Sequence, residues 1–409
     1  MRDLNLSQDN LAGQWQYVKR NLTDSGIITH DSLETDIRLI IQGILQRNID
    51  QEFQDAIQAE YYQRTDTRID LRCGYYDRVF TSTFGQVSLK IPRARNTRLN
   101  YKLFDTYQRR HKKLDYCIAL SMILGLSTRK QSKLFYEVMG DSVSHQTASK
   151  LLLALKEELR AYRQQPIANK YKYLILDGMW VHIKELSIRQ RPVLFALGIT
   201  KDNKKELLSF KLAKGETEAE YTSLLNDLYR RGLIQLDCII ADGSESITAA
   251  VNTVYPYAQR QYCYTHKLRN LSQNIRHKYK HRQKILKDAK KIYRQPSKQQ
   301  AIREFNKFLH IWQTLEPKAC KNFKNNFIST LNHYDFPEAD RGLISTSNHL
   351  ERYIEEIRRR TKIQGYFKTE NSLNLWLFGI IKHLNITIPE DVPKSSIQPE
   401  LEYESAQFS

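Results

Sequence analysis

The sequence predicts a mixed α/β protein whose sheet domain is interrupted by a wholly helical segment. Three observations carry that expectation. Between Tyr171 and Cys263 the hydrophobic pattern runs strand, strand, strand, helix, strand, helix, strand. From Lys267 onward the pattern turns helical, and no further strand signal appears before Glu351. Upstream, helical and hairpin-like stretches read as separate modules, which suits 409 residues, enough for about two to four domains.

Residues 1–70 place Ile37, Ile40, Ile41, Ile44 and Leu45 at helical spacing and end in the polar run YYQRTDTR, predicting an N-terminal helical domain. Residues 71–110 form a β-hairpin region. Two β-rich runs within GYYDRVFTSTFGQVSLKIPRAR flank Phe84-Gly85, and Pro92 closes the second. Arg93 and Arg95 beyond it are either a solvated strand end or phosphate contacts. Within residues 111–165, Leu114 to Leu159 parses as three helices broken at Gly125 to Ser127 and Gly140 to Ser144, with Ser127 and Ser144 as N-caps. That arrangement suits a helix-turn-helix, in which the start of the last helix reaches base edges in the major groove. Arg129, Lys130, His145, Gln146 and Lys150 would then face DNA. The competing reading is an ordinary three-helix packing unit.

Residues 171–266 carry the sheet. Its first strand, YKYLILDGMWVHI, holds Asp177; RPVLFALGIT and KKELLSFKLA follow as a meander; LDCIIADG ends in Asp242. Three antiparallel strands leading into α/β crossovers is the order of a ribonuclease-H-like sheet. Strands one and four would lie side by side and parallel, making Asp177 and Asp242 neighbours across 65 residues of sequence.

Residues 267–340 read as a basic helical insertion. Lys267 to Arg303 holds 13 Lys or Arg against one acid, Asp288, with Tyr279 and Tyr293 interleaved. A run this lopsided repels itself without a polyanion, so Lys267, Arg269, Arg276, Lys278, Lys280 and Arg282 are expected on DNA. Residues 341–388 return to the catalytic domain with STSNHLERYIEEIRRRTK, a helix carrying Glu351 and the basic Arg358, Arg359 and Arg360. Residues 389–409, rich in Pro, Ser and acids, are expected to be disordered.

The charge balance, 64 Lys and Arg against 45 Asp and Glu for a net +19, favours a polyanion partner. A membrane is disfavoured, since the chain shows no apolar run of about 18 residues, no signal peptide and no lipidation motif. Five scattered cysteines without a C-x-x-C pair suit reduced thiols in the cytoplasm, close to the nucleoid if the polyanion is DNA.

The chemistry rests on Asp177, Asp242 and Glu351. Carboxylates from two strands and a helix can hold two divalent cations roughly 3.5–4 Å apart, a geometry suited to in-line attack at phosphorus. Each acid has a plainer reading. Asp177-Gly178 and Asp242-Gly243 can end strands as turns, and Asn348-x-x-Glu351 can be a capping box. Against the last, Glu351 has no basic residue at i±3 or i±4, whereas Glu355 and Glu356 have Arg359 and Arg360 at i+4. Cys263 and His266 form half a zinc site, C-x-x-H, with no second half at good spacing. His266 is either a packed histidine or a group beside the carboxylates, able to bind a phosphate oxygen or shuttle a proton.

Six stretches, GYYDRVFTSTFGQVSLKIPRAR, GLSTRKQSKLFYEVMGDSVSHQTASKLL, YLILDGMWV, DCIIADGSESITAAV, QRQYCYTHKLRNL and TSNHLERYIEEIRRRTKIQGYF, resemble in order and spacing the mutator-type transposases of bacterial insertion sequences, a branch of the DDE transposases. The likeness runs from about Leu71 to Leu384. It implies a ribonuclease-H-like catalytic domain interrupted by a helical insertion, with Asp177, Asp242 and Glu351 as the metal-binding acids. It also implies that Cys263 and His266 are the family's C-x-x-H and Trp312 its insertion-domain tryptophan. Two Mg²⁺ ions, replaceable by Mn²⁺, would serve as cofactors. The implied partners are double-stranded DNA, as terminal inverted repeats and target, and further copies of the chain in a dimer or larger multimer. One departure is Asn348-His349-Leu350-Glu351, where the family reads Asn-Ala-Ile-Glu; the bulkier His349 is expected to alter the edge of the site. The rival functions are a structure-specific two-metal nuclease and a non-catalytic DNA-binding regulator derived from a transposase.

Overall fold

A computed structural model describes residues 30–103, 108–184, 187–384 and 386; the side chains of His145, Lys278, Tyr279 and Lys280 are outside what it describes, as is the tail expected at 389–409. The architecture is mixed α/β, and the chain divides into two compact units: one of the described residues up to 122 together with 126–151, the other of 123–125 and the described residues from 152 onward.

In the first unit, helix α1 (His30–Ile57) packs on a hairpin of β1 (Arg72–Ser82) and β2 (Gly85–Ala94). Val87, Leu89 and Ile91 alternate inward along β2, as period-2 patterning requires, and bury against Ile49 and Phe80. The turn is one residue earlier than the sequence suggested. Ser82 pairs with Gly85 across Thr83-Phe84, because Gly85 takes φ +109°, a left-handed conformation that costs glycine nothing. Gln46 from α1 donates to Lys90 O and accepts from Lys90 N, both at 2.8 Å, so the edge of β2 is satisfied by a side chain rather than left open to another strand.

Three helices follow: α2 (Lys112–Ile123), α3 (Thr128–Met139) and α4 (His145–Leu152). Both serines act as the expected caps. Lys130 N donates to Ser127 Oγ, and Thr147 N to Ser144 Oγ at 3.1 Å. Gly140 ends α3 in the left-handed region, its N–H bonded to Tyr136 O. Buried Gln131 donates to Ile118 O and Ser121 Oγ, fixing α3 against α2.

The second unit opens with α5 (Lys156–Gln164) and is organised by a five-stranded sheet, β3 (Tyr171–Lys184), β4 (Ile188–Thr200), β5 (Lys205–Leu212), β6 (Cys238–Ala241) and β7 (Gln259–Tyr262), in the order β5-β4-β3-β6-β7. β3, β4 and β5 are antiparallel; β3–β6 and β6–β7 are parallel. The parallel pairs need crossovers, and α6 (Glu218–Arg230) and α7 (Glu245–Val254) supply them. Their Leu224, Leu225, Leu228 and Val251 bury against Leu174, Leu176 and Leu194 on one face of the sheet. On the other face, Phe210 meets Tyr162 of α5, which in turn meets Phe378 of the last helix, α14 (Glu370–His383). With both faces covered, the central strands read as continuous apolar runs rather than alternating ones.

After β7 the chain is helical: α8 (Tyr264–Gln273), α9 (Lys278–Ile292), α10 (Lys298–Trp312), α11 (Pro317–Lys324), a 3-10 stretch (Ile328–Asp335) and α12 (Glu338–Ile344), before α13 (Asn348–Thr361). Among the described residues of this segment there is no strand. It has its own core, in which Phe305 stacks on Phe327 at 3.6 Å between centroids and Trp312 is buried with its indole N–H on Asp288. Each such aromatic contributes roughly 1.5–3 kcal/mol by leaving water.

The 3-10 stretch covers the β7 edge. Gln261 donates to Thr330 O and accepts from His333 N, and Asn332 donates to Arg260 O. Burial depresses His333 from 6.5 to about 4. The unfolded chain therefore binds more protons between those values, and stability is lost as pH falls through them. Denaturant unfolding at pH 7 and pH 4 should show a loss on the order of 3 kcal/mol from this residue, absent in His333→Gln.

Candidate active site

The parallel pairing of β3 with β6 sets the register Tyr173↔Cys238, Leu174↔Ile239 and Ile175↔Ile240. Continued two residues, it brings Asp242 level with Asp177. Asp177 is not at a strand end, as a turn would require, but inside β3, opposite Phe195 of β4. It shares the face of Tyr173 and Ile175, the one turned away from α6 and α7. Its Oδ1 accepts the Gly178 N–H at 2.8 Å. Asp242 does begin a turn, with Oδ1 accepting Ser244 N–H at 2.8 Å at the head of α7, yet its side chain is exposed at the sheet's end. The turn reading of that Asp-Gly pair therefore holds, and it leaves the carboxylate open to solvent.

Gly243 is required there. It has φ +80°, and a Cβ would lie 2.5 Å from the Tyr262 ring. Gly243→Ala should cost about 1–3 kcal/mol for the backbone alone, more with the clash, and shift Asp242. Thermal denaturation of the variant checks this.

Glu351 enters on the first turn of α13, which packs against β3. The capping box does not form: Ser347, not Asn348, is the N-cap, and it makes no capping bond with its side chain. Instead the Ser347 hydroxyl donates to Glu351 Oε1 at 2.8 Å. Nor is Glu351 without cationic neighbours, as its helix neighbours suggested. His266 Nδ1 is 3.4 Å from Oε1 and Arg269 Nη2 is 3.5 Å from Oε2, both from α8. These partners are remote in sequence, so helix spacing could not reveal them.

Cys263 and His266 tie these pieces together. The Cys263 sulfur accepts from Ser347 N–H at 3.2 Å, anchoring the start of α13, and sits 2.8 Å from Thr265 Oγ1. Sγ, the His266 ring nitrogen and a Glu351 oxygen lie within 4.8 Å of one another. Burial alone would lower His266, but the Cys263 sulfur, Asp177 and Glu351 outweigh it and raise the imidazole to about 9. Burial alone would raise Cys263; His266, Ser347 and Thr265 bring the thiol below its ordinary value. Burial pushes Asp177 up to about 6, with His266 pulling down and Glu351 and Asp242 pushing up. Asp177 therefore feels His266, Glu351 and Asp242 electrostatically, and His266 feels Asp177 and Glu351.

A fourth carboxylate, Glu216, belongs to this group. It lies between β5 and α6, its Oε1 3.6 Å from where a Gly178 Cβ would be. Burial and Asp242 raise its carboxyl, while a hydrogen bond from Trp180 lowers it. Nothing in KGETEAEY distinguishes Glu216 from an acid before a helix N-cap. His349, expected at the site's edge, is half-buried, and burial with Lys205 and Arg352 holds its imidazole below the ordinary range.

The basic residues divide. In the first unit Arg93 and Arg95 line a groove of about 1160 Å³ with Arg98, Arg109 and Arg110, and Arg93 also lies over the Tyr76 ring. Arg129, Lys130, Gln146 and Lys150 are exposed on α3 and α4. In the second unit Arg276 is exposed, Arg282 donates to Ser272 Oγ, and Arg358 is exposed. Arg359 and Arg360 both turn to Glu356, so Glu355 does not take the first of them. Lys267, expected on DNA, instead donates to the carbonyls of Asn322 and Asn325 at the end of α11, and burial lowers its amine to about 8. A lysine there satisfies orphan helix carbonyls.

Comparison with known proteins places the chain among similar sequences. The family model described as "Transposase, Mutator family" matches residues 16–386. The chain is similar to the transposase for insertion sequence element ISRM5 of Rhizobium meliloti, 29% identical over 341 residues, 83% of this chain and 85% of that protein. It is likewise 29% identical over 351 residues to the transposase for IS256 in transposon Tn4001 of Staphylococcus aureus, covering 85% and 89%. To the transposase for IS905 of Lactococcus lactis it is 28% identical over 323 residues, covering 79% and 82%. All five cysteines are free, and no described helix is long and apolar enough to cross a membrane.

Proposed function

The chain belongs to the Mutator family of transposases, and from that premise we propose that it is a DNA transposase that binds the terminal inverted repeats of an insertion sequence and catalyses metal-dependent strand cleavage and strand transfer. The observation that carries the reading is the β3–β6 register that brings Asp242 level with Asp177, with Glu351 on the first turn of α13 near enough that it and Asp242 both push the Asp177 carboxyl up. Oxygen donors of this kind fit Mg²⁺, or Mn²⁺ in its place. Asp177 supports the fit: burial beside two further acids disfavours its charge, and a bound cation would relieve that cost. The strand order β5-β4-β3-β6-β7, with an all-helical segment before Glu351, supports a ribonuclease-H-like catalytic domain.

Bound there, a pair of Mg²⁺ ions would supply the charge that activates an attacking oxygen and stabilises a leaving one. Asp177 and Asp242 would hold the ions from adjacent strands, and Glu351 would complete the set of ligands. The Ser347 hydroxyl and His266 orient Glu351, and Cys263 fixes the start of its helix through Ser347 N–H. His266, cationic at neutral pH, suits a phosphate oxygen better than the role of a base. The exposed arginines and lysines of α3 and α4 in the first unit, with α3 and α4 as the helix-turn-helix, and those of the helical segment in the second unit each contact the DNA backbone. Such a protein works in the cytoplasm at the nucleoid and as a dimer or larger multimer, since two element ends must be held together.

Labelled DNA carrying the flanking inverted repeats, incubated with the protein with and without Mg²⁺, tests this. Nicking plus strand joining, both Mg²⁺-dependent, is the expected result. Hydrolysis without joining would favour the nuclease, and tight binding without cleavage the regulator.

A further inference from the structure

His277, His281 and Glu316 meet within the helical segment, on elements separate from those that bear the carboxylates. Glu316 is the N-cap residue of α11 and its side chain is almost completely buried, 1% exposed. Two backbone amides aim it: Arg276 N donates to Oε2 at 2.7 Å and His277 N to Oε1 at 3.0 Å. His277 and His281, four residues apart at the start of α9, bring their Nδ1 atoms to 3.1 and 2.9 Å from that same Oε1. One carboxylate oxygen has about two lone pairs, so three donors on Oε1 oversubscribe it.

From this geometry we propose that His277, His281 and Glu316 bind a zinc-type dication, with the two imidazoles and one carboxylate oxygen as ligands. Donor atoms about 2.0–2.2 Å from a tetrahedral zinc are separated by roughly 3.3 Å, so the two nitrogen–oxygen spacings need to open by only a few tenths of an ångström. The cation replaces two of the three competing donors, and the backbone amides remain as the outer bonds that orient the ligating carboxylate. His277, half-exposed, leaves a face open to water for a fourth ligand. The flanking lysines and arginines disfavour any cation held by charge alone. Affinity must come from the imidazoles, which selects zinc, copper or nickel over Mg²⁺. Bound, the ion joins the start of α9 to the start of α11.

The full chain, stripped with EDTA, is given equimolar Zn²⁺ in excess Mg²⁺ and passed through gel filtration. Retained zinc is counted and its ligand shell read by X-ray absorption at the zinc edge. One zinc per chain with only nitrogen and oxygen ligands is expected, lost in His281→Ala and in Glu316→Gln. Should either variant fail to fold, His277→Ala, at an exposed position, decides by losing the zinc with the melting temperature of the metal-free chain intact. No retained zinc, or zinc undiminished in His277→Ala, overturns the proposal and leaves the three groups as a hydrogen-bonded network. Sulfur in the shell also overturns it, assigning the ion to Cys263, His266 and Glu351. These readouts are independent of DNA cleavage.

Discussion

Asp242→Ala should abolish Mg²⁺-dependent nicking of inverted-repeat DNA while leaving the fold intact. The side chain is exposed, and its only described hydrogen bond is the one it accepts from Ser244 N–H, so little stability is at stake. A metal ligand by contrast underwrites several kcal/mol of transition-state charge stabilisation. At about 1.4 kcal/mol per tenfold, its loss slows cleavage by roughly a thousandfold or more. Asp177→Asn should be equally inactive but differ in stability. Its folded carboxyl, at about 6, lies above the ordinary 3.8, so the folded state binds more protons between those values. Stability then falls as pH rises through that window, and the cost persists above it. Without divalent cation at pH 7, Asp177→Asn should be more stable than the parent by up to about 3 kcal/mol, and Mg²⁺ should narrow the difference. Full cleavage by either variant would sink the two-metal assignment, and a metal-free parent as stable as Asp177→Asn would show that its carboxyl is not raised.

DNA affinity should fall steeply with salt. Six to ten neutralised phosphates correspond to a loss of about 10³ to 10⁵ in affinity between 50 and 200 mM salt. Lys287 and Lys290 are exposed on α9, so replacing both with alanine should flatten the slope by about 1.8. Lys267→Met should leave the slope unchanged and lower stability instead, because that amine serves the end of α11. A slope near zero would remove the helical segment from the DNA surface, and a Lys267→Met slope that drops like the double variant's would return Lys267 to that surface.

Local chemistry made much of this legible. The serine caps at 127 and 144, the hairpin and the strand–helix alternation depend on neighbours within a few residues, and they formed where their patterns lay, the hairpin turn shifted by one residue. The parallel pairing of β3 with β6 also followed from element order, since the alternation leaves few ways to close such a sheet. What the pattern did not show was long-range. Lys267 donates to carbonyls at the end of α11, and Arg359, exposed as a surface charge, shares Glu356 with Arg360 instead of pairing with Glu355. Glu351 looked unpaired because only its own helix was visible, whereas Ser347, His266 and Arg269 converge on it in space.

By itself, then, the sequence determined the elements and their order, because helix and strand periodicity and cap chemistry act over short distances. The tertiary structure alone decided which charges remain exposed, that Glu216 joins the acids, and that His277 and His281 converge on Glu316. Burial and side-chain convergence arise from packing between distant segments, and no local pattern encodes them.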